Sequence, residues 1–300
     1  MKTRTFALLL LAITILATAP WAATAQAPPL WATVPDPPPL PNPDRSGFVT
    51  NGGARLYYAV FHRGGGRPVI LLHGGLSSSE SWGFEVPRLI GTHEVIVMDS
   101  RGQGRSTGPI EPLTYDLMAS DVVALMDALH VRRASIVGAS DGGIIGLVLA
   151  IHYPERLDRL FAWGANFNTH SDSTQPPEPA LKGVGAIYIE KMEAQYRKLS
   201  STPDDFPAMR KALGKLYATQ PNLTPAELGR ITAPTVIADG EYEQFIAQEH
   251  TALLARLVPT ATLLIIRNVS HGGPLQDPAA FHRAVATLLD GPRRRNPSGR

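Results

Sequence analysis

The chain has 300 residues, 44% hydrophobic and 18% charged, a composition that excludes a disordered or fibrous protein. Its 28 basic and 26 acidic residues leave a net charge of +2, near neutral once Arg293, Arg294 and Arg295 of the tail are set aside; nucleic acid and anionic membrane are therefore poor expectations as the main partner. The absence of cysteine excludes disulfides, thiolate metal sites and a cysteine nucleophile together, so any covalent catalysis must use another side chain.

At the start of the chain, Lys2 and Arg4 precede an apolar run over 6–17, and Ala23-Thr24-Ala25 follows as a small-residue exit. This pattern predicts a secretory signal peptide over 1–25 and an exported protein, in a bacterial periplasm or secreted. The run is too short for a permanent anchor, so no stable membrane span is expected after cleavage. Residues 26–45 contain eight prolines. They predict extended polyproline geometry, as a spacer or as an arm lying on the domain surface.

From 46 onward short β-type runs alternate with helical ones. An opening hairpin is expected from 47–50 and 55–61, then strands at 68–72 and 94–98, ending at His73-Gly74-Gly75 and Asp99. Residues 115–129 space their apolar side chains as an amphipathic helix. A strand at 134–137 leads through Gly138-Ala139-Ser140-Asp141-Gly142 into a buried helix over 144–151. Further strands are expected at 157–163, 235–238 and 262–266, alternating with helices at 243–257 and 277–289. Repeated β-α order implies an α/β fold, a mostly parallel central sheet flanked by helices. The core is expected over 46–166 and 231–290. Residues 167–230 lack a strand signal and predict a helical cap insertion, opened by Pro176, Pro177 and Pro179. A basic tail occupies 291–300.

The clearest chemistry lies in Gly138-Ala139-Ser140-Asp141-Gly142. Strand before and helix after place the serine on a sharp turn, and small residues at 138 and 142 keep adjoining backbone clear. A serine hydroxyl is a weak nucleophile and needs a base within hydrogen-bond reach. His271, between the last strand and the last helix, falls at the same end of the sheet. That base in turn needs a carboxylate to fix its tautomer and stabilise the imidazolium. Asp239, Glu241 and Glu243 follow the 235–238 strand. Glu243 is chosen because it lies far enough around the loop to face the histidine, with Asp239 its rival. Backbone N–H groups of Asp141 and Gly75 (or Leu76) are expected to form an oxyanion hole. His73 is expected to pin its own loop. The run 99–106 lacks the lysine of a phosphate loop and reads as a turn.

Taken in order, His73-Gly74-Gly75, Asp99-x-Arg101-Gly102-x-Gly104-x-Ser106, Gly138-x-Ser140-x-Gly142, Gly240-x-x-Glu243 and His271 resemble the α/β-hydrolase superfamily over about 46–290. Within it, Ser140-Asp141-Gly142-Gly143 and Trp163-Gly164-Ala165-Asn166 look like the valacyclovir hydrolase (biphenyl hydrolase-like) group of esterases. The resemblance implies a serine hydrolase cleaving small-molecule carboxylic esters, with no cofactor and no metal. A glutamate at 243 departs from the commoner aspartate. Lactone, amide or perhydrolysis chemistry with the same triad is the alternative, and dehalogenase or epoxide hydrolase chemistry is disfavoured because both place an aspartate where Ser140 stands. A non-catalytic ligand-binding protein is the alternative of a different class. The Asp141 carboxylate is given two readings, pairing with a substrate ammonium or accepting local backbone hydrogen bonds. Oligomeric state and natural substrate are left open.

Overall fold

Strands that run through the middle of an α/β sheet are covered on both faces, so they must be apolar at nearly every position. Pro68–Leu72 and Ala134–Ala139 meet that demand, with the residues between their ends buried. The computed structural model describes residues 27–62, 66–171 and 183–291. The expected leader at 1–25, the arginines at 293–295 and the prolines at 176, 177 and 179 lie outside the described residues.

Eight strands form one sheet: β1 (Arg45–Asn51), β2 (Ala54–Phe61), β3 (Pro68–Leu72), β4 (Glu94–Met98), β5 (Ala134–Ala139), β6 (Leu157–Trp163), β7 (Thr235–Gly240) and β8 (Ala261–Ile266). Their order is β1-β2-β4-β3-β5-β6-β7-β8. The β1–β2 and β2–β4 pairs are antiparallel and the rest are parallel. The helices are α1 (Val86–Leu89), α2 (Tyr115–Ala128), α3 (Asp141–His152), α4 (Val184–Leu199), α5 (Phe206–Thr219), α6 (Pro225–Leu228), α7 (Gln248–Leu257), α8 (Gly273–Gln276) and α9 (Pro278–Leu289). This is the α/β-hydrolase fold, with α4, α5 and α6 supplying the helical segment between β6 and β7.

The strand period of two divides the core between the faces of the sheet. Ile70, Leu72 and Ile136 pack with α2 and α3. Val69, Leu71, Val137 and Phe161 pack with α1 and α9 on the other face. Phe281 of α9 stands edge-on to both Phe161 and Trp163. Helix ends are set by short polar side chains: Thr114 Oγ1 accepts from Leu117 N at 3.0 Å to start α2, and Asp277 Oδ1 accepts from Ala280 N at 2.9 Å to start α9.

Strand order reverses at β3 and β5, where open α/β sheets leave a crevice at the carboxyl ends. Register brings those ends level. Leu72 pairs with Gly138, Ala139 with Trp163, Trp163 with Ala238, and Gly240 with Ile266. The helix expected from 243 begins at Gln248 instead. Glu243 takes Phe245 N at 2.8 Å onto its own carboxylate, which holds this stretch as a loop. No helix among the described residues is long and apolar enough to cross a membrane.

Candidate active site

Ser140 joins β5 to α3 with φ 53° and ψ −118°, a backbone conformation that β-substituted residues avoid and that costs about 1–3 kcal/mol. Its amide donates to Trp163 O at 2.7 Å, which ties the turn to β6. The flanking glycines have no room for a side chain. A Cβ at Gly138 would lie 2.1 Å from Gly142 O, and one at Gly142 would lie 2.0 Å from Leu72 O. The loop after β3 runs against this turn, since a Cβ at Gly74 would be 3.2 Å from Ser140 Cβ. Neither Gly75 N–H nor Asp141 N–H donates to an acceptor among the described residues, so both are free for a developing oxyanion.

His73 does not act as a base here. Its Nδ1 meets Gly74 O at 2.7 Å and its Nε2 accepts from Ser100 N at 2.9 Å, which pins the β3 and β4 loops together. Burial lowers its pKa despite the charge of Asp99, as suits a neutral ring with both nitrogens engaged. The 99–106 segment is likewise a braced turn. Asp99 accepts from Ser79 N and Arg105 N, and Arg101 makes a buried ion pair with Asp121.

At the far side of the crevice, His271 Nδ1 lies 2.7 Å from Glu243 Oε2. Trp163 Nε1 donates to His271 O, and His271 N donates to Gln244 Oε1. Phe245 stands edge-on to the imidazole at 4.9 Å. The ring rests on Gly164, where φ is 56° and a Cβ would come within 2.7 Å of His271 Cε1. The same β6 end therefore receives both partners: Trp163 O takes the Ser140 amide and Gly164 supports the imidazole. Ser140 Oγ and His271 share no hydrogen bond in this arrangement, a contact that commonly tightens only with substrate present.

Asp239, the rival acid, stands behind Glu243. Its Oδ1 accepts from Gly240 N at 2.9 Å and its Oδ2 from Thr251 Oγ1 at 2.8 Å. Burial, and then the charge of Glu243, push the Asp239 carboxyl well above the usual carboxylate range. Burial works against ionisation of Glu243 too, but the charge and hydrogen bond of His271 outweigh it and hold that carboxyl below its usual value. Of the two carboxyls, Glu243 is the one whose ionised form its surroundings favour. Burial also opposes protonation of His271, yet Glu243 raises its pKa above the ordinary imidazole value. Asp239, Glu243 and His271 have ligand-type atoms within 4.8 Å of one another, the geometry a metal ion could use; here those atoms bond to one another and to Gly240, Thr251 and Phe245.

Two tyrosines meet at Asp141, which the sequence reading did not anticipate. Tyr115 Oη donates to Oδ1 at 2.9 Å and Tyr217 Oη to Oδ2 at 3.0 Å. Burial pushes the Asp141 carboxyl up to about 6, against the pull of the two phenols and of His271. Burial and the charge of Asp141 push the Tyr188 hydroxyl up to about 12. Of the two readings given for this carboxylate, local backbone hydrogen bonding is not the one found: its oxygens accept from side chains of α2 and α5. Tyr217 Oη and Asp141 Oδ2 overhang the oxyanion loop, since a Cβ at Gly75 would lie 1.9 Å from the first and 2.8 Å from the second. No spacing rule links positions 115, 141 and 217. Only their types, polar-tipped aromatics inside apolar runs, could have marked them.

Comparisons with known proteins bear on the fold. Residues 67–204 match the family model described as alpha/beta hydrolase fold. A candidate carbamate hydrolase, RutD, of Pseudomonas savastanoi is 27% identical over 246 residues, covering 74% of this chain and 93% of its own. The rhodomycin D methylesterase DnrP of Streptomyces peucetius is 26% identical over 289 residues, covering 81% and 96%. Among solved structures, Est816, described as an N-acyl homoserine lactone degrading enzyme, superposes with a TM-score of 0.62 at 26% identity, covering 80% of this chain and 99% of its own.

Proposed function

We propose that this chain, which has the α/β-hydrolase fold, is a serine hydrolase cleaving carboxylic esters of small molecules through an acyl-enzyme on Ser140. The observation that carries this reading is the 2.7 Å contact of Glu243 with His271 Nδ1, which leaves Nε2 as the basic nitrogen, at the end of the sheet that also holds Ser140 in a strained turn.

Ser140 Oγ attacks the carbonyl carbon while its proton passes to His271 Nε2. The carbonyl oxygen becomes an oxyanion that accepts from Gly75 N–H and Asp141 N–H, each such donor lowering the barrier by about 3 kcal/mol. The imidazolium, stabilised by Glu243, returns its proton to the leaving alcohol oxygen as the C–O bond breaks. Water, deprotonated by the same nitrogen, then attacks the acyl-serine, and the acid leaves with Ser140 restored. The methylesterase relative supports an ester substrate. The lactone-degrading neighbour supports a second reading, in which the alcohol stays tethered to the acyl group and the same steps open a ring. The Asp141 carboxylate, overhanging the oxyanion loop, suits a substrate ammonium next to the scissile carbonyl. The leader pattern at 1–25 supports an exported enzyme.

A fluorophosphonate probe tests the reading. Labelling is expected at Ser140, with Ser140→Ala abolishing both labelling and turnover of a panel of p-nitrophenyl esters, lactones and α-amino esters beside their N-acyl analogues. Full turnover in that variant would overturn the assignment.

A further inference from the structure

Resting on the hydrolase reading of the same site, we propose that the proline-rich arm over 27–44 is part of the active site. Its first half positions the loops that carry Glu243 and His271, and its second half walls the substrate groove.

A proline-rich segment has few N–H groups, so its backbone can be held mainly through its carbonyls. The structure supplies donors at those points. Gln276, buried in α8, directs its Nε2 to Trp31 O at 3.1 Å and to Thr33 O at 2.9 Å. The other end of the same amide accepts from Ser270 N at 2.8 Å, one residue before His271. One side chain therefore bridges the arm and the base loop. On the acid side, the Trp31 ring lies flat on Tyr242, with centroids 4.4 Å apart and planes 13° from parallel. Tyr242 immediately precedes Glu243, and its amide donates to Val269 O at 2.9 Å, which joins the acid loop to the base loop. Trp31 is buried although it belongs to a segment with no sheet partner, in a short turn over Leu30–Ala32.

Farther along, the arm turns to the α4 helix. Lys191 Nζ donates to Val34 O at 2.7 Å and pairs with Asp36 at 2.8 Å. Between arm and helix lies a groove of about 540 Å³, walled by residues 34–39 on one side and by Tyr188, Lys191 and Gln195 on the other, with Ser77 and Arg105 also lining it. Ser77, which lines the groove, donates its amide to Gly74 O at 3.3 Å, so the groove adjoins the loop that carries Gly75. Prolines preset their φ, so the arm loses little entropy in holding this course and serves as a stiff brace.

The two halves make different kinetic predictions for the full-length chain. Trp31→Ala and Gln276→Ala are expected to slow fluorophosphonate labelling of Ser140 and to lower kcat by about 10- to 100-fold, with KM within about 2-fold of wild type. Trp31→Phe, which keeps a stacking ring, is expected to restore most of the rate. Lys191→Ala is expected to raise KM several-fold with kcat unchanged. Proton NMR of the His271 Nδ1–H resonance reads the same positioning without turnover; it is expected to broaden or disappear in Trp31→Ala. If the wild-type chain failed to label, the hydrolase reading would fall while that resonance still judged the arm. Wild-type labelling rates, kcat, KM and imidazole resonance in the Trp31, Gln276 and Lys191 variants would overturn the proposal.

Discussion

The two sides of the proposed catalytic crevice are held in place by opposite means. On the Ser140 side the backbone does the work: a left-handed φ at the proposed nucleophile, glycines with no space for a side chain, and N–H groups without partners among the described residues. On the His271 side the proposed base and acid sit in loops, and the place of His271 depends on side chains from distant parts of the chain, among them Glu243, Gln244, Gln276 and Trp163. A site fixed by backbone tolerates little substitution but is independent of remote residues. A site fixed by side chains is tunable and fails by degrees.

The sharpest way to probe the side-chain half is to separate its two carboxyls. Glu243→Gln is expected to lower kcat/KM by about 10⁴-fold, because an amide cannot stabilise the imidazolium. Asp239→Asn keeps the shape of a side chain that does not touch His271 and is expected to cost no more than about 10-fold. Steady-state kinetics of the pair decides the matter, since the reverse order would transfer the acid role to Asp239.

Glycine substitutions probe the contrast itself. Gly142→Ala sets a Cβ against the Leu72 carbonyl at 2.0 Å, inside a β3–α3 contact that cannot yield, and is expected to cost about 3 kcal/mol in thermal or denaturant unfolding. Gly164→Ala sets its Cβ against the movable His271 ring, so unfolding is expected to lose only about 1–2 kcal/mol, from the left-handed φ, while kcat falls disproportionately. Equal loss of stability and activity in both variants would erase the distinction between the two sides.

A smaller effect appears in the pH profile. His271 must be neutral to accept the Ser140 proton, and Glu243 raises its pKa, so the acid limb of kcat/KM is expected to have its midpoint above about 6.5. Glu243→Asp, which shortens the reach to Nδ1, is expected to move that midpoint down. Stability runs in the opposite direction: the contribution of the raised imidazole is fully present below about pH 6.5 and is lost as pH rises through the folded-state value. Fluorophosphonate labelling rates and unfolding midpoints measured across the same pH range separate the two signs.

The backbone-built side was the more legible one. Glycine at 138 and 142 around a serine, between a strand and a helix, is a local pattern whose physical reason lies within five residues, and the structure puts Ser140 in that turn. His73 was equally legible as a loop pin, since it follows a buried strand. The order of strands could be read as α/β because each strand announces itself by its own apolar run. The start of α7 was misplaced because the apolar rhythm near 243 says nothing of the carboxylate that turns this stretch into a loop. The tyrosine clamp on Asp141 was invisible for a related reason: Tyr115 and Tyr217 lie 26 and 76 positions away, and the contact exists only once α5 is folded over the core.

By itself, then, the sequence determined which side chains can do chemistry and which end of the sheet they occupy, because periodicity, glycine sterics and residue type act over a few neighbours. Tertiary structure alone decided that Glu243 and not Asp239 touches His271, that the Asp141 carboxylate is held by phenols, and that a proline-rich arm is bound through Gln276 to the base loop. Those outcomes depend on distances between segments far apart along the chain, and no local spacing fixes such distances until the core has packed.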